Sequence, residues 1–407
     1  MVLFYDDSPV FGGHEVMALH AVRGLLKARP ESIVFFANPE NGQLLQELEQ
    51  ISGELDRPDQ LAIEKSPAPL SKPVAISRWF RQKDISDLAD QFTTSAPDQV
   101  LVVQGDIASS VLGLLAAKRA GIPAISYIPV PHTLKEMGAK LGGFRDLLDA
   151  PLFKLPDGFI TISESMATKL AARSRDAHVI DVVLNGIPDQ DFQPIARDKA
   201  REKLELKHSE KIIALVGRLE FKQKQQDFLL SAFASSDLAK DASLLFVGDG
   251  PDKGRLQALV NRLDLNEQVT LLPWQQDMAT VYSAADLLVI PSRFEGFPLV
   301  MLESVRCNTP VVAAAKDGMA DFLPQEWLFE PGSKTDCIQK VTKVLTGQTE
   351  GQLYTLNSRI DSEMTIQAFQ RNFSRSLAKF CPGRRQNLAT APSEYHPALK
   401  ATETGLG

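Results

Sequence analysis

Short apolar runs of strand length alternate with longer amphipathic stretches along most of this chain, and that rhythm leaves few folds open. In the first half the runs are VLFY (2–5), SIVFFAN (32–38), QVLVVQG (99–105), AISYIPV (124–130) and GFITIS (158–163). Helical patterns such as HEVMALHAVRGLLKA (14–28) and ASSVLGLLAAKRAG (108–121) lie between them. Such alternation argues for a parallel sheet with helices on both faces. At 183–200 the rhythm breaks: VLNGIPDQDFQPIARDKA holds Asn185-Gly186, Pro188 and Pro194 without clear periodicity and reads as a linker. A second series then begins: KIIALVGR (211–218), SLLFVGDG (243–250), QVTLLPW (268–274), DLLVIPS (286–292) and TPVVAAA (309–315).

The expectation is two Rossmann-like α/β domains of similar size, 1–186 and 206–361, joined by a linker at 187–205. A last helix at 362–381 places Ile366, Phe369, Phe373, Leu377 and Phe380 on one face. The remainder, 382–407, is polar and patternless, and is expected to be disordered. The length of 407 residues is enough for two large domains.

Charge and cysteine usage narrow the function. A formal net charge of −7 argues against nucleic-acid binding, which leaves a basic footprint. The three cysteines, Cys307, Cys337 and Cys381, have no metal-ligand spacing and fit a reducing cytosol. The start, MVLFYDDSPVFGG, lacks the basic region and long apolar core of a signal peptide, and no run approaches the roughly 20 apolar residues of a transmembrane helix. A cytoplasmic chain is expected, without a metal, another cofactor or an obligate protein partner. Peripheral contact with the inner face of a membrane stays open. SRWFRQK (77–83) mixes Trp79 and Phe80 with Arg78, Arg81 and Lys83. It reads as a solvated helix face with one aromatic buried, and docking on anionic lipid is the alternative.

The chemistry concentrates at the carboxyl ends of the strands, where open parallel sheets bind ligands. SLLFVGDGPDKGRL imitates a dinucleotide fingerprint, but its third glycine, Gly254, comes one place late, so a tight strand-to-helix turn is the better reading. GRLEFKQKQQDFL (217–229) brings Arg218, Lys222 and Lys224 to the end of a strand, where a guanidinium and an ammonium suit a diphosphate. In FGGHE (11–15), Gly12 and Gly13 let the backbone approach a ligand, and the helix amino end behind them favours anions.

PSRFEGFPLVMLESV (291–305) carries two glutamates, Glu295 and Glu303, around a turn at Gly296 and Phe297. Pro298 suits the first helical position, Glu303 the second turn, and Leu299, Val300 and Leu302 the core face. The N–H groups of Leu299 and Val300 would meet a phosphate. A carboxylate accepts from two vicinal hydroxyls, as in a ribose. A glutamate at each end of a phosphate-binding turn suits a sugar nucleotide; pairing of Glu303 with a buried basic residue is the bland alternative.

GRLEFKQK, LLFVGDGPDKGRL, AADLLVIPSRFEGFPLVMLESV and CNTPVVAA, in this order, resemble the donor domain of the family-four retaining glycosyltransferases (glycosyltransferases group 1). The likeness is strong over 211–332, and FGGHE, TISES and VLNGIP echo it in the first half. It implies the GT-B fold, with two doubly wound parallel-sheet domains facing across a cleft and the last helix crossing back to the first domain. It also implies a nucleoside diphosphate-sugar donor, Glu295 beside the donor sugar, Glu303 on the ribose, and an arginine and a lysine on the diphosphate. The arginine is Arg218. The lysine is Lys222 or Lys224, and the following Gln-Asp favours Lys224. The family usually has glycine after that lysine, and Gln225 stands here instead.

Members often carry a histidine near the sugar, for which His132 is the candidate, with Asp106 a weaker one. The loop after LLPW, at Trp274, would receive the base, and 131–150 would form an acceptor-side loop. The reaction implied is retaining hexosyl transfer to a glycan, lipid or small molecule. A sugar-nucleotide epimerase and a non-catalytic sugar-nucleotide binder are the alternatives.

Overall fold

The computed structural model describes residues 1–28, 32–71, 73–174, 179–188, 190–206 and 211–380, so the polar tail and Cys381 lie outside the described residues. Two parallel sheets organise it. The first contains β1 (Val2–Asp6), β2 (Ile33–Ala37), β3 (Leu61–Lys65), β4 (Gln99–Val103), β5 (Ala124–Tyr127), β6 (Gly158–Thr161) and β7 (Val179–Val182), in the order β3-β2-β1-β4-β5-β6-β7. The second contains β8 (Lys211–Val216), β9 (Ala242–Val247), β10 (Val269–Leu272), β11 (Leu287–Ile290), β12 (Val311–Ala314) and β13 (Leu328–Phe329), in the order β10-β9-β8-β11-β12-β13. Every pairing in both sheets is parallel.

Each apolar run of the two series forms a strand, because helices cover both sheet faces and reward continuous apolar sequence. Of these strands only β10, at the edge of its sheet, is half-buried along its whole length. The strands β3, β7 and β13 were not among those runs. The first two are sheet edges with partly exposed sequences, LAIEK and VIDV, and the third is two residues long. In each sheet the order reverses next to the first strand, between β1 and β4 and between β8 and β11. Loops leaving those strand ends diverge and open a crevice, the usual ligand position of doubly wound sheets. The FGGHE turn therefore stands at the reversal point of the first sheet, and both the Arg218–Lys224 loop and the Glu295 loop stand at that of the second.

Five helices frame the crevice and the surface beside it: α1 (Gly13–Ala28), α2 (Val74–Phe80), α3 (Gly142–Asp149), α4 (Leu299–Arg306) and α5 (Ile366–Lys379). α5 packs along α1 of the first domain. Its Phe373 ring meets Tyr127 edge-on at 5.6 Å, Gln370 Nε2 donates to the His20 carbonyl at 3.1 Å, and Lys379 reaches Asp181 at 2.7 Å. Just before α5 the chain runs parallel to the interdomain connection. Ile187 N–H donates to Met364 O at 3.0 Å, and Ile366 N–H donates to Ile187 O at 3.2 Å. The connection itself continues into a short helix, Arg197–Lys203, whose Arg201 bonds to Asp286 at 2.6 Å.

Candidate active site

The second domain supplies a cation and a carboxylate from the two loops at its reversal point. After β8, Gly217 takes φ +140 and the chain turns through Arg218 into a single helical turn, Phe221–Lys224. Gln225 then adopts φ +55, the left-handed region that glycine favours, so the loop keeps a glycine-like bend without glycine. That bend aims Lys224 at the neighbouring loop of the same domain, where Nζ lies 2.6 Å from Glu295 Oε1. Both side chains are largely shielded from solvent, which strengthens the pair relative to a surface one. Lys222 instead lies beside Gly138 of the first domain, with Arg293 close by. Arg218 is exposed, and its Nε stands 3.9 Å from Glu220 Oε2.

Glu295 is held from behind. Its N–H donates to Asp317 Oδ2 at 3.1 Å. Asp317 takes φ +53 after β12, and His132 Nε2 from the first domain approaches the same oxygen at 2.9 Å. Lys169 lies 3.5 Å from the other oxygen. Burial alone would raise the Asp317 carboxyl, but the imidazole, the Glu295 N–H and Lys169 outweigh it and hold it below the ordinary range. His132 is buried against Phe294, with ring centroids 5.8 Å apart. The structure thus places His132, buried, against the aspartate that holds the Glu295 loop.

Further contacts bring the domains together here. Asn185 Nδ2 donates to Phe297 O at 3.0 Å, and Ser165 Oγ to Asp321 at 2.7 Å. A Cβ at Gly296 would fall 2.4 Å from Pro129 O, so only glycine allows the Glu295 turn to approach the first domain this closely.

The helix after that turn departs from the sequence reading by one position. Pro298 is the N-cap in extended conformation, with φ −67 and ψ 125, and α4 begins at Leu299. Leu299 and Val300 are half-buried rather than core residues; Met301, Leu302 and Val305 face the core. Leu299 and Val300 nevertheless occupy the first helical positions, whose N–H groups have no partner within a helix. Among the described residues Glu303 meets no basic one. Tyr282 donates its hydroxyl to Glu303 Oε2 at 2.5 Å. Burial dominates and pushes Glu303 up to about 7 in spite of that bond. Trp274 is exposed after β10, its N–H donating to Asp249 at 3.3 Å.

Across the crevice, α1 opens at Gly13, as its glycines suggest. The helix end is not vacant, however: Glu15 folds back and accepts from Gly12 N–H at 2.8 Å. Its second oxygen meets His14 Nε2 at 2.9 Å. Asp6 holds Ser8 N–H with one oxygen, and its buried Oδ2 finds no hydrogen-bond donor among the described residues. Burial and the neighbouring Glu15 raise Asp6 to about 7. Among the described residues Asp6, His14 and Glu15 form the group that could hold a cation, with ligand atoms within 4.8 Å of one another. Asp106, nearby, accepts from Ala108 N–H and Ser109 Oγ, each at 2.9 Å, and shapes its own turn.

Asp317, Tyr282 and Arg293 escaped the sequence reading. Asp317 sits in KDGMAD, where an acid after a strand carries no signal, and Tyr282 lies within an apolar helix.

Comparison with known proteins fits this geometry. Residues 196–359 match the family described as glycosyl transferases group 1, a span that includes Arg218, Lys224, Glu295 and Glu303. The chain carries a group 1 glycosyltransferase domain. Among similar curated proteins, the D-inositol 3-phosphate glycosyltransferase of Segniliparus rotundus is 40% identical over 224 residues, 52% of this chain and 50% of that protein. The enzyme of that name from Mycobacterium marinum is 29% identical over 326 residues, 74% of this chain and 68% of its own length. The chain thus spans from half to about two thirds of these relatives. Solved structures extend the likeness of fold across both domains of the chain. Anabaena Alr3699/HepE, crystallised with UDP-glucose, superposes with a TM-score of 0.74 at 18% identity, over 93% of this chain and 99% of its own. Sucrose-phosphate synthase from Thermosynechococcus elongatus gives 0.71 at 18% identity, over 92% and 98%.

Proposed function

We propose that this glycosyltransferase moves a hexose-type sugar from a nucleoside diphosphate-sugar to an acceptor with retention of anomeric configuration. The second domain grips the donor and the first receives the acceptor. The observation that carries this reading is the Lys224–Glu295 contact of 2.6 Å, which joins the two loops at the reversal point of the second sheet. Breaking the glycosidic bond loads negative charge onto the departing diphosphate. Lys224, the exposed guanidinium of Arg218 and the N–H groups of Leu299 and Val300 meet that charge where it develops. Glu295 holds the lysine in place and faces the sugar, while Glu303 accepts from the ribose hydroxyls. His132 acts through Asp317 to fix the Glu295 loop. Trp274 offers the base an exposed ring.

HepE has been solved with UDP and with UDP-glucose, and the curated relatives bear the name D-inositol 3-phosphate glycosyltransferase. UDP-glucose is therefore the first donor to test here. UDP should raise the melting temperature, as a ligand of the folded state does by mass action. Lys224→Ala should lower donor turnover on the order of 10²–10³-fold. An epimerised sugar recovered from donor alone, or tight binding with neither transfer nor slow hydrolysis, would overturn transfer in favour of an epimerase or a binding protein.

A further inference from the structure

The first domain exposes an apolar surface that its own fold does not use. Ile76, Trp79 and Phe80 on α2, and Leu141, Phe144 and Leu147 on and just before α3, are between 53% and 84% exposed. The two helices touch, which brings these residues onto neighbouring surface of one domain. Both aromatics of SRWFRQK are exposed, in contrast to the single buried ring its sequence suggested. Aromatic side chains present on the order of 150–250 Å² each, so the patch exceeds what a soluble surface usually leaves open.

Charge identifies the occupant. The Arg78 guanidinium lies 5.5 Å from the Trp79 ring centroid, and Lys135 and Lys140 are exposed beside the patch, with Arg145 on α3. None of the four has a carboxylate partner among the described residues. The neighbouring acids are already engaged. Glu136 is held by Lys169 at 2.9 Å, Asp146 accepts from the N–H groups of Leu134 and Lys135, and Asp84 and Asp87 pair with Arg81 and Lys83. A local positive surplus thus borders exposed tryptophan, phenylalanine and leucine, in a chain whose net charge is −7.

We infer that this patch docks on an anionic lipid bilayer, with the apolar tips entering the headgroup boundary and the cations meeting lipid phosphates. The segment that joins it to the site runs from His132, behind Glu295, out to Leu141. Docking would therefore set the acceptor side of the crevice at the membrane surface. The inference goes beyond the donor reading and is tested without donor.

The full chain is sedimented with phosphatidylcholine vesicles, with and without phosphatidylglycerol, at low and high salt. The same is done for Trp79→Ser/Phe80→Ser, Phe144→Ser/Leu147→Ser and Lys135→Glu/Lys140→Glu. Binding should require phosphatidylglycerol and weaken with salt. Each apolar double variant should lose at least about tenfold in partition, and the charge variant should lose the lipid preference. Near-ultraviolet circular dichroism and the UDP-induced thermal shift verify folding, since these side chains are exposed. Absent binding, or binding equal in the variants, overturns the inference while an intact UDP shift leaves the donor reading standing. A dimer in light scattering that the apolar variants dissociate would assign the patch to a second copy and overturn lipid docking.

Discussion

In the proposed donor site Glu303 would hold two roles in tension. To accept from two ribose hydroxyls it must be ionised, yet burial raises it to about 7. Its neutral form therefore stabilises the fold below the unfolded value of 4.5, and that contribution is lost as pH rises through 7. Donor binding runs the other way. Because a nucleoside diphosphate-sugar does not itself titrate near neutrality, its affinity should fall about tenfold per pH unit below 7 as the site must first lose a proton. Calorimetric titration with UDP-glucose across that range checks this, and Glu303→Gln should flatten the profile while weakening binding. A profile unchanged in Glu303→Gln would move the titration to another group, such as Asp6.

At the scale of elements, the loop between β8 and the following helix depends on an unusual backbone. Gln225 at φ +55 carries a strain of roughly 1–2 kcal/mol that glycine would not. A β-branched residue suffers more, so Gln225→Val should lower stability by about that amount and abolish the UDP-induced thermal shift by misdirecting Lys224. Denaturant titration with and without UDP reads both effects. This loop also shows what a sequence discloses. Strand ends, turn glycines and the Glu295/Glu303 spacing were legible because each arises from local periodicity and chain stiffness. The reach of Lys224 toward Glu295 could be anticipated only as charge near a sheet edge. Asp317 and Tyr282 could not, because their partners are set by crossings of the chain remote in sequence. The fate of Trp79 and Phe80 was equally hidden, since amphipathic spacing does not say whether an apolar face finds a partner within the fold.

At the scale of the whole molecule, α5 ties the end of the second domain to the first. Phe380 closes this contact: it is buried, and a Cβ at Gly158 would fall 2.1 Å from its ring. Phe380→Ala should cost about 3–5 kcal/mol. If the first domain is the part that loosens, hydrogen exchange should rise in β6 and α1 before β8 or β11. Uniform loss of protection would mean that the two halves unfold as one unit.

The chain passes between its halves twice, and the two passages are laced together at Ile187 and Thr365. Cords bound side by side resist slipping past one another but still bend. Opening the halves about that seam would part the Asn185–Phe297 and Ser165–Asp321 contacts on the far side, and the donor proposed above would enter there.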